Sequence, residues 1–173
     1  APSMTRGVWN DPQRYLDTYW SRWPGVWYHG DWASVDTDGC WYLHGRADES
    51  MNIAGRKVGP AEVEDALMQH PAVAEAAVIG VPDELKGECI VAFVVLRAEA
   101  SAETLTEHLV QTLGPTFRPR EIHAVKELPK TQSGKVVRRL IRQRYLNEPL
   151  GDTSTVENPS ALDAFSRHAT PAP

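Results

Sequence analysis

Apolar and polar positions follow several different rhythms along this chain, and each rhythm predicts an element. Tyr28 to Val35 and Cys40 to His44 are short aromatic or β-branched runs joined by Asp36-Thr37-Asp38-Gly39. Asp and Gly suit a tight turn, so the pair predicts a β-hairpin. The same turn does not fit a calcium loop, because its Gly comes too early and Ala47 stands where the closing Glu would be. Gly59-Pro60 opens a helix in which Val63, Ala66 and Leu67 form a core-facing stripe, and Pro71 stops it. Strands are predicted at Ala74 to Val81 and Ile90 to Arg97, separated by the turn-rich Pro82 to Glu88. A second helix covers 101–113, capped by Ser101, with Leu105, Leu109 and Leu113 on one face and Gly114-Pro115 after it. Glu121 to Leu128 predicts a third strand, and Val136, Val137, Leu140, Ile141 and Tyr145 stripe a final helix. The fold class is α+β, with a three-stranded sheet, helices and a separate hairpin.

Composition divides this pattern into parts. All six tryptophans precede residue 43, and the remainder has none. A domain boundary is therefore expected near Asp48, inside Arg46-Ala47-Asp48-Glu49, with 1–47 and 48–148 as separate units. From 149 to 173 the chain is rich in Pro, Ser, Thr and Asp and reads as a polar tail or a wrapping segment. Because it opens on Ala1 in an irregular stretch, the chain reads as a piece of a longer one. Neither a spanning segment nor a signal pattern is visible, so a cytoplasmic, non-membrane protein is expected.

The net charge of −5 argues against a nucleic-acid binder, but residues 118–144 hold nine Lys/Arg against two Asp/Glu. Such a local surplus suits a segment that meets a phosphate-bearing ligand. Cys40 and Cys89 lack metal or disulfide spacing and are expected to be small buried residues. His29, His44, His70, His108, His123 and His168 are scattered, and no hydrolase or dinucleotide motif is present.

Three places could carry chemistry. Pro129-Lys130-Thr131-Gln132-Ser133-Gly134-Lys135 is a polar loop from which Lys135 can extend as a compact charge toward a phosphoryl group; a solvated turn lysine is the plain alternative. Gly30-Asp31 places an acceptor-only carboxylate beside a Gly, as a ribose diol would need, although Gly-Asp is also common in turns. Arg46, in Gly45-Arg46-Ala47-Asp48, either faces a nucleotide or belongs to an ordinary connection. Arg138, Arg139, Arg142 and Arg144 read as a solvated helix face.

Together these segments resemble the adenylate-forming superfamily, and within it the short-chain acyl-CoA synthetases, from about Arg6 to Asn147. The resemblance rests on Arg14 to Trp20, Gly30-Asp31, the Gly45 to Glu64 stretch, Val81-Pro82 with Lys86-Gly87, and the loop ending at Lys135, in the family's order. It implies that a carboxylate attacks ATP to give acyl-adenylate and pyrophosphate, and that the thiol of coenzyme A then displaces AMP. ATP or AMP, coenzyme A and Mg2+ are the implied cofactors. The resemblance makes 48–148 a mobile C-terminal lid and 1–47 the last β-rich piece of a large N-terminal adenylation domain, whose phosphate loop and acyl pocket have no counterpart here. It implies that Asp31 holds the ribose, Arg46 and Lys57 contact the nucleotide, Asp48 is the hinge, Lys135 is catalytic and Gly55 faces the pantetheine tunnel. It further implies a main-chain cation site at Met68, His70 and Val73. His29 replaces a usual small hydroxyl residue, and Val110 stands where some relatives bind coenzyme A through arginine.

Two functional expectations follow: a synthetase piece inactive without its N-terminal part, or an isolated lid modified at Lys135 by a lysine acetyltransferase and restored by a deacetylase. Nucleic-acid binding through 118–144 lacks interleaved aromatics.

Overall fold

Ala76-Ala77-Val78-Ile79-Gly80-Val81 and Ile90-Val91-Ala92-Phe93-Val94-Val95 are apolar without alternation, as strands buried on both faces must be. The computed structural model describes residues 4–166 and pairs these two runs antiparallel at the centre of the fold. Ala1 and His168 lie outside the described residues.

In chain order the elements are α1 (Pro12–Tyr19), β1 (Asp31–Val35), β2 (Trp41–Arg46), β3 (Met51–Ile53), β4 (Arg56–Val58), α2 (Pro60–Met68), β5 (Val73–Asp83), β6 (Gly87–Leu96), α3 (Ala102–Leu113), β7 (Glu121–Ala124) and α4 (Arg138–Tyr145). Two 3₁₀ turns, Pro115–Phe117 and Pro159–Phe165, complete the list. β1 and β2 form the expected two-stranded hairpin. The other strands make a mixed sheet in the order β4-β3-β6-β5, with β7 parallel to β6.

The sheet thus has two short strands beyond the expected three. The third expected strand ends at Ala124 rather than Leu128, and the last helix starts at Arg138 rather than Val136. β5 runs on through Pro82 because it is an edge strand, where a missing N–H breaks no ladder bond. α1 was not signalled by any apolar stripe; its Asp11 cap, which accepts from Arg14 N at 3.0 Å, and its Pro12 start define it.

Each face of the β5–β6 pair has its own core. Val78, Ile90, Ala92 and Val94 pack with Val63, Leu67, Leu105 and Leu109 of α2 and α3. Ile79, Val91 and Phe93 pack with Leu128, Ile141, Tyr145 and Phe165. The second group decides between the two readings of the C-terminal segment: its described residues wrap the domain, with Phe165 fully buried and Val156 and Leu162 closing over Leu140. Cys89 is buried as expected, and burial pushes its thiol pKa up. Cys40 is exposed, because it sits at the hairpin turn with no layer above it. Among the described residues no helix is long and apolar enough to cross a membrane.

Candidate functional site: a lysine loop and a charged hairpin end

The loop carrying Lys135 is a small hairpin. Lys130 opposes Val136, Thr131 N donates to Lys135 O at 2.9 Å, and Val137 N donates to Pro129 O at 3.0 Å. Gly134 takes φ +81°, a conformation glycine adopts without penalty, and its N–H closes the turn on Thr131 O at 2.8 Å. The two lysines differ. Lys130 is tied to Glu75 at 2.7 Å, whereas Lys135 is exposed and, among the described residues, its Nζ makes no hydrogen bond or ion pair. It borders a cleft of about 710 Å³ whose other walls include Asp48, Glu49, Ser50 and Met51.

Asp31 and Arg46 face each other in register across the first hairpin. Arg46 lies over Gly30: a Cβ there would meet the guanidinium at 2.7 Å, and Gly30 also has φ +92°. Glycine before Asp31 is therefore what lets the arginine cross the hairpin end. From that position Arg46 reaches Asp31 at 3.9 Å and holds Asp48 with two hydrogen bonds of 3.0 and 3.2 Å. Asp48 sits below the usual carboxylate pKa range, chiefly because of these bonds and further because of the positive charge of Lys135; Arg46 is raised in turn by Asp48. His29 Nδ1 lies 2.6 Å from Asp31, so the unusual histidine is a partner of the carboxylate. The structure thus links Asp31, Arg46 and Asp48 by charge contacts and sets Lys135 on the same cleft as Asp48.

A second network was missed by the sequence reading. Glu64, only 5% exposed on α2, accepts from Arg138 Nε at 2.6 Å and from a second Arg138 nitrogen, while its Oε1 also takes Val78 N at 2.9 Å. Val78 N lies on the free edge of β5, so Glu64 satisfies a donor that no strand pairs. Arg138 also donates to Glu49 at 3.2 Å, and its pKa is raised mainly by Glu64. It is not part of a solvated face. The available signal was a glutamate beside the apolar stripe of α2, but its partner lies 74 residues away.

Other expected positions lie apart. Lys57 borders a separate cleft with Trp32, His44 and Asp65. Gly55 is at the β3–β4 turn with φ +83°, following Ala54 at φ +50°, and a Cβ there would meet open space. The turn conformation, not crowding within this chain, therefore asks for glycine. Val110 is half-buried on α3. Met68, His70 and Val73 do not fit a resident cation: Val73 O already accepts Arg97 Nε at 3.1 Å and Nη2 at 2.6 Å, and His70 O accepts Val73 N at 3.0 Å. Among the described residues no group of three His, Cys, Asp or Glu could hold a metal either.

Residues 62–135 match the family model described as the AMP-binding enzyme C-terminal domain. This chain carries an AMP-binding enzyme C-terminal domain. The matched stretch of this C-terminal domain runs from α2 to Lys135 itself. Similarity extends further. The acetyl-coenzyme A synthetase of Pyrobaculum aerophilum is 47% identical over 171 residues, 96% of this chain and 26% of the relative. That of Streptomyces avermitilis is 48% identical over 178 residues, 99% of this chain and 27% of the relative. The structure superposes on acetoacetyl-CoA synthetase from Streptomyces lividans with TM-score 0.83 and 29% identity, covering 97% of this chain and 26% of that one. On the amide bond synthetase McbA from Marinactinospora thermotolerans it gives 0.70 and 32%, covering 83% and 29%. The chain spans about a quarter of the length of the curated relatives it matches.

Proposed function

We propose that this chain is the C-terminal part of a cytoplasmic AMP-forming acyl-CoA synthetase, in which it delivers Lys135 to ATP while a short carboxylate is adenylated. The observation that carries the proposal is the exposed ammonium of Lys135, on the returning arm of a braced loop and bordering the Asp48 cleft. A fixed positive charge there stabilises the negative charge that builds on the α-phosphoryl oxygens as the carboxylate attacks and pyrophosphate leaves. Asp31 would accept both ribose hydroxyls, with Arg46 and Lys57 toward the nucleotide. Coenzyme A would then displace AMP, its pantetheine arm passing Gly55.

Between the two steps the lid, residues 48–148, would swing on Asp48. Support for that pivot comes from its flanks. Ala47 N is held by Gly30 O at 2.8 Å, on the hairpin side, and Glu49 is held by Arg138 at 3.2 Å, on the lid side. Only Asp48 lies between these anchors. The Arg46–Asp48 pair that spans the pivot is exposed, and such pairs are worth about 0.2–1 kcal/mol, so it is cheap to break.

Residues 4–46 support a larger body that precedes the lid. α1 and the first hairpin contain no buried side chain in α1 and none in β1 or β2, and they leave Trp9, Trp41 and Leu43 at 96, 73 and 72% exposure. An isolated two-stranded hairpin is marginal in water, and exposed apolar surface of this kind fits a covering partner. Lys135 is also exposed, so a lysine acetyltransferase could reach it, and acetylation there would remove the charge that adenylation needs.

The test is acetate-dependent release of pyrophosphate from ATP. The 173 residues alone are expected to release none, because the groups that position ATP and acid are absent. The longer enzyme that includes them is expected to release pyrophosphate with acetate and to form acetyl-CoA. Release by the isolated chain, or no acid-dependent release by the longer enzyme, would contradict the proposal.

A further inference from the structure

A seven-residue hairpin is too small to hold its own shape in water. What braces the Lys135 loop is the segment that composition marks as a polar tail. Val156 forms an antiparallel bridge with Thr131, and Glu157 N donates to Lys130 O at 2.9 Å, so the tail is pinned to the open edge of the loop at this point. Next to it, Asn158 uses both ends of its amide. Its Oδ1 accepts from Lys130 N at 2.9 Å, and its Nδ2 donates to Glu127 Oε2 at 2.7 Å and to Leu128 O at 3.0 Å. One side chain thus ties residues 127, 128 and 130, the root from which the loop projects.

The segment is itself fastened along its length. Arg139 Nη2 donates to Asp152 O at 3.0 Å and crosses Gly151 so closely that a Cβ there would collide with the guanidinium. Arg144 pairs with Asp163 at 3.1 Å. Val156 and Leu162 cover Leu140, and Phe165 meets Phe93 edge-on at 4.8 Å between ring centroids. Burial of Phe165 against Phe93 removes its ring from water and anchors the end of the segment.

We propose that residues 152–165 are a strap that positions Lys135, with Asn158 as its positioning residue. The inference rests on the role given to Lys135 above and adds to it a second requirement. A positive charge acts on a transferring phosphoryl group only if it is held in place, and a displacement of about 1 Å can cost about 100-fold in rate. Asn158 touches neither Lys135 nor any group assigned to the nucleotide. Its effect is therefore transmitted through the loop root, and it should act on the adenylation step alone.

The experiment pairs two readouts. In the 173-residue chain, Asn158→Ala is expected to speed amide hydrogen exchange at Lys130, Thr131 and Lys135 by at least about tenfold while leaving β5 and β6 unchanged. In the longer enzyme the same variant should lower the maximal rate of acetate-dependent adenylation by about 10–100-fold, with the ATP KM moving less than about threefold. Thioester formation from supplied acetyl-adenylate should keep its rate. Combining Asn158→Asp with Glu127→Gln reverses one donor–acceptor pair and should recover part of the loss. Lys135→Ala, assayed alongside, separates the two ideas. If it abolishes adenylation while Asn158→Ala leaves both exchange and rate unchanged, the strap is overturned and the role of Lys135 stands. If Lys135→Ala leaves adenylation intact, both are overturned. Equal loss of both half-reactions in Asn158→Ala would reduce the residue to a structural one and also overturn the proposal.

Discussion

Lys135→Ala in the longer enzyme is expected to lower acetate-dependent adenylation by about 10²–10³-fold, the range seen when one preorganised donor to a developing negative charge is removed. Thioester formation from supplied acetyl-adenylate should be spared, because no phosphoryl bond to ATP is broken in that step. The split between half-reactions is the informative part. Lys135 is exposed, and among the described residues its Nζ makes no hydrogen bond or ion pair, so its removal should cost the fold little. Enzyme acetylated at Lys135, verified by peptide mass spectrometry, should behave as the Ala variant does, since acetylation converts the ammonium to a neutral amide. Equal loss of both steps, or no loss, would remove Lys135 from the catalytic assignment.

Arg138→Ala should cost about 3 kcal/mol of stability in urea unfolding, the lower end of what breaking a buried pair costs because Arg138 retains some exposure. The variant leaves Glu64 buried with Val78 N as its remaining partner and frees Glu49 beside Asp48. Arg138→Lys should recover little, since one ammonium cannot reproduce the two-nitrogen grip on Glu64. Arg138→Met combined with Glu64→Gln should recover more than Arg138→Lys, because it removes the orphaned charge while Gln still accepts from Val78 N. A loss under about 1 kcal/mol for Arg138→Ala would mean that the pair is no more than a surface bridge.

The elements that the sequence made legible are those with sharp local punctuation. Asp36 to Gly39 announces a turn, Gly59-Pro60 a helix start, and Ser101 a cap whose hydroxyl does accept from Thr104 N at 3.1 Å. Three-residue strands carry no periodicity, so β3 and β4 were invisible, although Ala54-Gly55 forms the turn between them. The sequence left the C-terminal segment as tail or wrap for a related reason: Val156, Leu162 and Phe165 are too widely spaced among polar residues to form a stripe, and what they cover is set by α4 and β6. For the candidate site, Asp31, Arg46 and Lys135 stood out because each directly follows a glycine, the first two at the paired ends of β1 and β2 and the third in the loop before α4. Arg138 was misread because its surroundings depend on Glu64 and Glu49, which neither propensity nor spacing connects to it. The cation site implied at Met68, His70 and Val73 gave way to Arg97, whose guanidinium takes the Val73 carbonyl that a metal ion would need.

The most direct test of the account is a crystal structure of the longer enzyme with ATP and without coenzyme A. Lys135 Nζ is expected about 3 Å from an α-phosphate oxygen, with the ribose hydroxyls on Asp31. A structure in which ATP is fully held by other groups while Lys135 points into solvent, and in which Asp48 keeps one backbone conformation with and without coenzyme A, would contradict it.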